Sequence, residues 1–263
     1  MDELVKAYYG QSLQSSADLK TSACCDANAV PAWLKPLLAK IHPDICNRYY
    51  GCGLVCPEHI NGFKVLDLGS GAGRDAYLLA QLVGPSGEVV GVDITSEQLS
   101  ISRNYLKYHS DLFGYSNVSF IEGRIENLAD LGLQPQSFDL IVSNCVLNLS
   151  MDKSAVLEGV RNLLKNDGRF YFADIYADKP IPLNLRNHPV LYGECLSGAF
   201  YTDEFIALSQ SMGFHEPQLI TQKPIVIEDN EIAAMLNGIN FCSTTYQLHK
   251  KSPFCTVYSD INL

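Results

Sequence analysis

Val65-Leu66-Asp67-Leu68-Gly69-Ser70-Gly71-Ala72-Gly73-Arg74-Asp75 decides the fold of this 263-residue chain. Its first residues form the end of a short apolar run from Phe63, the pattern of a buried strand. Three alternating glycines follow. Without a Cβ they let the backbone turn tightly and approach a ligand closely. Arg74–Val83 then carries Ala76, Leu78, Leu79, Ala80 and Leu82, which suits a buried helix. The amides at the start of such a helix point at whatever sits in the loop. A dinucleotide loop of the G-x-G-x-x-G type needs glycine where Arg74 stands, so this loop reads differently.

Outward from that loop, strands and helices alternate. Glu88–Asp93 predicts a second strand ending in an acid. Ser96 opens a helix running to about Phe113. Asn117–Glu122 and Phe138–Ser143 read as the third and fourth strands. Val156, Val160, Leu163 and Leu164 fall on one helical face, and Asn166-Asp167-Gly168 reads as the stop of that helix. Arg169–Tyr176 is the fifth strand. A helix near Asp203–Met212 and strands near Gln218–Ile227 and Thr244–His249 complete the series. This alternation predicts an α/β fold with a doubly wound, mostly parallel, Rossmann-like sheet. Ligands in such sheets bind beyond the C-terminal strand ends. Residues 1–62 lack a single period and hold five of the nine cysteines. They read as an irregular N-terminal extension with short helices, ahead of one domain over 63–263.

The glycine string resembles the motif of class I S-adenosylmethionine-dependent methyltransferases. Asp93, ending the second strand, falls where those enzymes hold both ribose hydroxyls. Glu122-Gly123-Arg124-Ile125, after the third strand, falls where they meet the adenine. Asp67 would serve the methionine end or support the loop.

The cysteines stand at 24, 25, 46, 52, 56, 145, 195, 242 and 255. The count is odd, the chain is long, and the N-terminus has no apolar leader, so a secreted disulfide scaffold is not expected. A reducing, cytoplasmic compartment is expected instead. Cys145 ends the fourth strand on the cofactor rim, Cys52 precedes the first strand, and Cys195 follows the fifth. Three convergent thiolates are a soft trigonal set. They suit As(III), whose lone pair opposite the sulfurs attacks a methyl sulfonium without a general base. Cys46, Cys52, Cys56 and His59 as a zinc site lack the paired C-x2-4-C spacing of structural zinc. Beside Gly51, Tyr49 and Tyr50 are either core packing or an aromatic lid over a sulfonium.

YYGCGLV at 49–55, SNCVLNL at 143–149 and GECLSGA at 193–199, with the glycine string, resemble the arsenite S-adenosylmethionine methyltransferases. Shorter echoes are AYYG at 7–10, TSAC at 21–24 and the stretch from Cys242 to Leu248. The resemblance implies that Cys145 and Cys195 bind the arsenic with Cys52 as third thiolate. It implies that Cys24 forms a disulfide with Cys52 during turnover, re-reduced by a thiol of glutathione or thioredoxin type. It places Tyr50, Gly51, Asp67, Gly69, Gly71, Arg74, Asp93, Ile125 and Asn144 at the cofactor. The implied substrates are trivalent arsenicals as thiol conjugates. Many members carry a further C-terminal domain, for which 263 residues leave no room.

Composition narrows the alternatives. Net charge is −10, which argues against a nucleic-acid binder. No apolar run approaches the roughly 18 residues that span a membrane. A monomer is expected. The other functional readings are a methyltransferase acting on a small thiol or carbon acceptor, and a metalloid-binding protein without turnover.

Overall fold

The computed structural model describes residues 2–13, 30–186, 188–227, 229–236 and 238–250. Eight strands form one sheet: β1 (Lys64–Leu68), β2 (Glu88–Asp93), β3 (Val118–Glu122), β4 (Phe138–Asn144), β5 (Leu164–Ala177), β6 (Phe200–Tyr201), β7 (Gln218–Ile225) and β8 (Phe241–His249). Their order is β3-β2-β1-β4-β5-β8-β7, with β6 beside β5. The first five are parallel, and β8 runs antiparallel to both β5 and β7.

Side chains alternate along each strand, and both faces are covered at β1, β2 and β4, while β7 is exposed along nearly its whole length. Val65, Val89, Leu140 and Val142 pack on one face with Ala76, Leu79 and Val83 of the helix Arg74–Val83. Leu34, Ile41, Ile45, Val55 and Ile60 join this same cluster, so the segment before β1 is fastened to the sheet. Leu66, Leu68, Ile141 and Phe170 face the other way, against Val156, Leu157 and Val160 of the helix Lys153–Leu163. A third cluster, with Ile175, Leu191, Leu196, Ile232 and Phe241, lies behind Cys145 and Cys195.

The sheet order reverses between β1 and β4, and this is where an open α/β sheet leaves a crevice at its strand ends. The glycine loop after β1 and the cysteine loop after β4 face that crevice.

Two elements differ from the sequence reading. The helix expected from Ser96 to Phe113 breaks into Ser96–Asn104 and Leu106–Phe113. At the break Tyr105 stacks on His42 with ring centres 3.9 Å apart, and its hydroxyl donates to Asp44. Asn166-Asp167-Gly168 is not a helix cap. The helix ends at Leu163, and Leu164 is already extended and paired with Phe138. Gly168 serves close approach: a Cβ there would lie 2.9 Å from the Phe138 carbonyl oxygen.

The same region gives a pH prediction. His109 is buried, with Nε2 accepting the His42 amide at 3.2 Å and Nδ1 2.8 Å from the Tyr105 carbonyl. Nδ1 therefore carries the proton of a neutral ring. Burial lowers the His109 pKa, helped by the charge of His42 and opposed by the Tyr105 carbonyl. Below about pH 6.5 the unfolded chain takes up this proton before the folded one. Stability is therefore full above that pH and falls as pH drops through the lowered folded value. Thermal melts from pH 7.5 to 5 are expected to show a steeper fall for the native chain than for His109→Gln.

Candidate active site

Gly69, Gly71 and Gly73 all have positive φ, at 72°, 51° and 95°. They do different jobs. A Cβ on Gly69 would lie 2.3 Å from Val146, and one on Gly73 would lie 2.9 Å from Phe120. A Cβ on Gly71 would meet nothing within 4 Å. Gly71 thus borders open space in the cleft. All nine residues expected at the cofactor line this cleft: Tyr50, Gly51, Asp67, Gly69, Gly71, Arg74, Asp93, Ile125 and Asn144.

The acids of the cleft are held differently. Asp93 accepts from Gly71 N and Thr95 N, each at 2.8 Å. Burial raises the Asp93 pKa and these amides oppose it. Asp67 is buried, and its Oδ2 has no hydrogen-bond partner among the described residues. Burial pushes its pKa well up, and the charges of Asp75 and Asp93 add to this. An orphaned buried carboxylate oxygen beside an open glycine loop fits a ligand carrying a cation and hydroxyls. S-adenosylmethionine has both.

Asn144, at the end of β4, joins the cleft to the cysteines. Its Oδ1 accepts from the amides of Cys52 and Gly53 at 3.0 and 3.1 Å. Its Nδ2 donates to Tyr49 Oη, Asp75 Oδ2 and the Gly53 carbonyl. A Cβ on Gly51 would sit 2.4 Å from that Nδ2, so glycine is required there. The Arg74 guanidinium lies over the Tyr49 ring at 3.5 Å from its centre. Tyr49 is therefore part of this bracket, while Tyr50 meets the Tyr9 ring edge-on at 5.4 Å.

Cys145 lines the cleft, and in this structure it is joined to Cys52 by a disulfide with Cα atoms 5.8 Å apart. The Cys195 thiol donates to the Cys145 carbonyl at 3.3 Å. Cys145 and Cys195 are both left-handed, with φ 59° and 61°. That conformation is costly for residues with a Cβ, and it persists where surroundings over-determine it. Three cysteines from before β1, after β4 and after β5 are thus neighbours, with Cys195 joined through the Cys145 carbonyl and its sulfur outside the 4.8 Å group that Cys52 and Cys145 form with Asp174. Cys24 lies outside the described residues, as do Cys25 and Cys255, so its expected pairing with Cys52 is not addressed by this geometry. Here Cys145 is the partner of Cys52.

Several neighbours were not among the site residues expected from the sequence. Asp174 of β5 is fully buried, within 4.8 Å of the Cys52 and Cys145 sulfurs. Burial raises its pKa to about 7, against the amides of Ile175 and Asn148. Ser243 of β8 donates to the Cys52 carbonyl at 2.7 Å. Tyr9, from the AYYG echo, donates to the Gly193 carbonyl at 2.8 Å, and its hydroxyl lies 4.0 Å from the Cys195 sulfur. Burial and the Asp174 charge raise the Cys195 pKa, while Tyr9 lowers it. The zinc arrangement does not form: among the described residues the metal-spaced group is Cys52, Cys145 and Asp174, and the His59 side chain is 94% exposed. No helix among the described residues is long and apolar enough to cross a membrane.

Known proteins resemble this chain in sequence and in fold. A family model described as a methyltransferase domain matches residues 59–223. An arsenite methyltransferase of Aquipseudomonas alcaligenes is 54% identical over 261 residues, covering 98% of this chain and 75% of that protein. The Mus musculus arsenite methyltransferase is 45% identical over 249 residues, covering 94% of this chain and 66% of that protein. A crystal structure of an arsenic (III) S-adenosylmethionine methyltransferase from Chlamydomonas reinhardtii matches with a TM-score of 0.82 at 42% identity, covering 86% of this chain and 76% of that chain. Identity of this extent over nearly the whole chain shows that the chain belongs to the arsenite methyltransferase family of class I S-adenosylmethionine-dependent enzymes.

Proposed function

We propose that this chain transfers methyl groups from S-adenosylmethionine to trivalent arsenic held by Cys52, Cys145 and Cys195, giving methylated arsenicals. The observation that carries this reading is the double placement of Cys145. It lines the cofactor cleft, and it also touches both other cysteines.

The chemistry follows from the donor set. Arsenous acid condenses with three thiols and releases three waters, so binding needs no net proton loss. The raised pKa of Cys195 is then no obstacle. The three sulfurs fix the arsenic lone pair on the side away from them. Bound S-adenosylmethionine supplies an electrophilic methyl group. Asp67 and Asp93 would hold its polar ends, and the open glycine loop would leave it room in the cleft that Val146 and Cys145 also line. The cysteine loop after β4 brings nucleophile and cleft together, which replaces a diffusional encounter by a fixed approach. No side chain is required as a general base: arsenic attacks through a lone pair it already has, the As–C bond forms as the sulfonium–methyl bond breaks, S-adenosylhomocysteine is the leaving group, and two thiols of the reductant, becoming one disulfide, return the two electrons that arsenic gives up.

The Cys52–Cys145 disulfide gives a second prediction. Two of the three ligands are unavailable while it persists. A thiol reductant of glutathione or thioredoxin type opens it, two reductant thiols becoming one disulfide. We infer a reducing compartment such as the cytoplasm, and a protein that works as a monomer. Calorimetry is expected to show arsenite binding after reduction and none to the oxidised form, with titratable thiols rising by two.

The direct test is incubation of the reduced chain with arsenite and S-adenosylmethionine, with methylarsenicals measured by chromatography. Absence of product, with both ligands shown to bind, would replace this reading with metalloid sequestration.

A further inference from the structure

Two asparagines flank Cys145 in Ser143–Leu149, and they engage different partners. Asn144 holds the Cys52 and Gly53 amides, as described above. Asn148 is buried and turns to the other cysteine. Its Nδ2 donates to the Ile175 carbonyl at 2.7 Å and to the Cys195 carbonyl at 3.4 Å. Its amide donates to Asp174 Oδ2 at 3.1 Å. Its own carbonyl oxygen faces Gly198, where a Cβ would lie 2.0 Å away. The turn carrying Cys195 is therefore seated on Asn148 through both side chain and main chain.

This seat explains how the strained turns are kept. Cys145 and Cys195 both hold φ near +60°. Such residues relax unless neighbours over-determine them. Between the two, Asn148 bonds β5 on one side and the Cys195 turn on the other, three residues after Cys145 itself.

We propose that Asn148 is a positioning residue that holds Cys195 against Cys145 and so sets the two-sulfur spacing met by trivalent arsenic, while Asn144 places the third sulfur independently. The proposal rests on the reading that these cysteines bind arsenic. It assigns separate duties to two residues of one type, four positions apart.

A dithiol probe separates them. Phenylarsonous acid has one arsenic valence taken by carbon, so it condenses with two thiols and releases two waters. In full-length Cys52→Ser protein under reductant, Cys145 and Cys195 are the pair of this site that remains. Calorimetry with phenylarsonous acid is run on that protein, on Cys52→Ser with Asn148→Ala, and on Cys52→Ser with Asn144→Ala. S-adenosylhomocysteine is titrated into each. Asn148→Ala is expected to weaken the arsenical at least tenfold and leave S-adenosylhomocysteine within twofold. Asn144→Ala is expected to leave the arsenical within twofold.

An unchanged arsenical affinity in Asn148→Ala overturns the proposal. So does an equal loss of S-adenosylhomocysteine binding, which makes Asn148 a general fold element. Failure of Cys52→Ser itself to bind the probe, with S-adenosylhomocysteine bound, overturns the underlying arsenic reading instead. Should Asn148→Ala not fold, Asn148→Asp keeps the shape without the donor and is expected to show the same tenfold loss.

Discussion

Cys145→Ser is expected to abolish measurable arsenite methylation, a fall of at least about 100-fold, since even a small misplacement of reacting groups costs that much. Cys195→Ser is expected to do the same. Oxygen nearly matches sulfur in shape but is a hard donor that does not replace a soft thiolate on arsenic. S-adenosylhomocysteine should still bind Cys195→Ser, because the cleft's acids and glycine loop are untouched. Cys145 also lines the cleft, so its variant is the more informative about cofactor affinity. Product chromatography and calorimetry on the same samples check both statements. Retained turnover in either variant would remove that cysteine from the ligand set.

Gly69→Ala is expected to damage both halves of the site at once. The added methyl meets Val146 Cγ2 at 2.3 Å and Cγ1 at 2.6 Å, in a backbone with φ +72°. Overpacking and backbone strain together cost about 2–5 kcal/mol. Val146 is the residue after Cys145, so the displacement enters the cysteine loop. Gly71→Ala is the control. Nothing lies within 4 Å of its added methyl, and φ is +51°. The fold should lose only about 1–2 kcal/mol from the left-handed backbone. Cofactor affinity should fall at least tenfold, since the methyl stands in the cleft. Urea melts separate the two variants, and titration with S-adenosylhomocysteine confirms the order. Equal stability in both would show that Val146 yields freely.

Much of this was written in local sequence. Glu88–Asp93 and Arg74–Val83 are strand and helix at the bounds read from their apolar pattern. The glycine string announced the cleft because its conformational demand is local. The cysteine strings announced the thiols because residue type carries the chemistry. Contacts across the sheet were not legible. Asp174 reads as one residue of an apolar strand, yet it stands beside two sulfurs. Tyr105 looked like a helical residue until His42 and Asp44, some sixty positions earlier, supplied partners that favour a break. Asn144 was expected to face the cofactor. It lines the cleft, and its side-chain bonds run to the Cys52 loop, which no spacing rule links to it.

The bond from Ser243 to the Cys52 carbonyl spans 191 positions, and this has a consequence for synthesis. Translation proceeds at about 5–20 residues per second, so the Cys52 thiol leaves the ribosome roughly 10–40 seconds before that anchoring strand exists. During that interval the nascent chain offers its thiols without the complete bracket. The cysteine cluster therefore gains this anchor only once β8 has been made, and the growing polypeptide depends on the surrounding thiol pool to keep its early cysteines reduced until that strand docks.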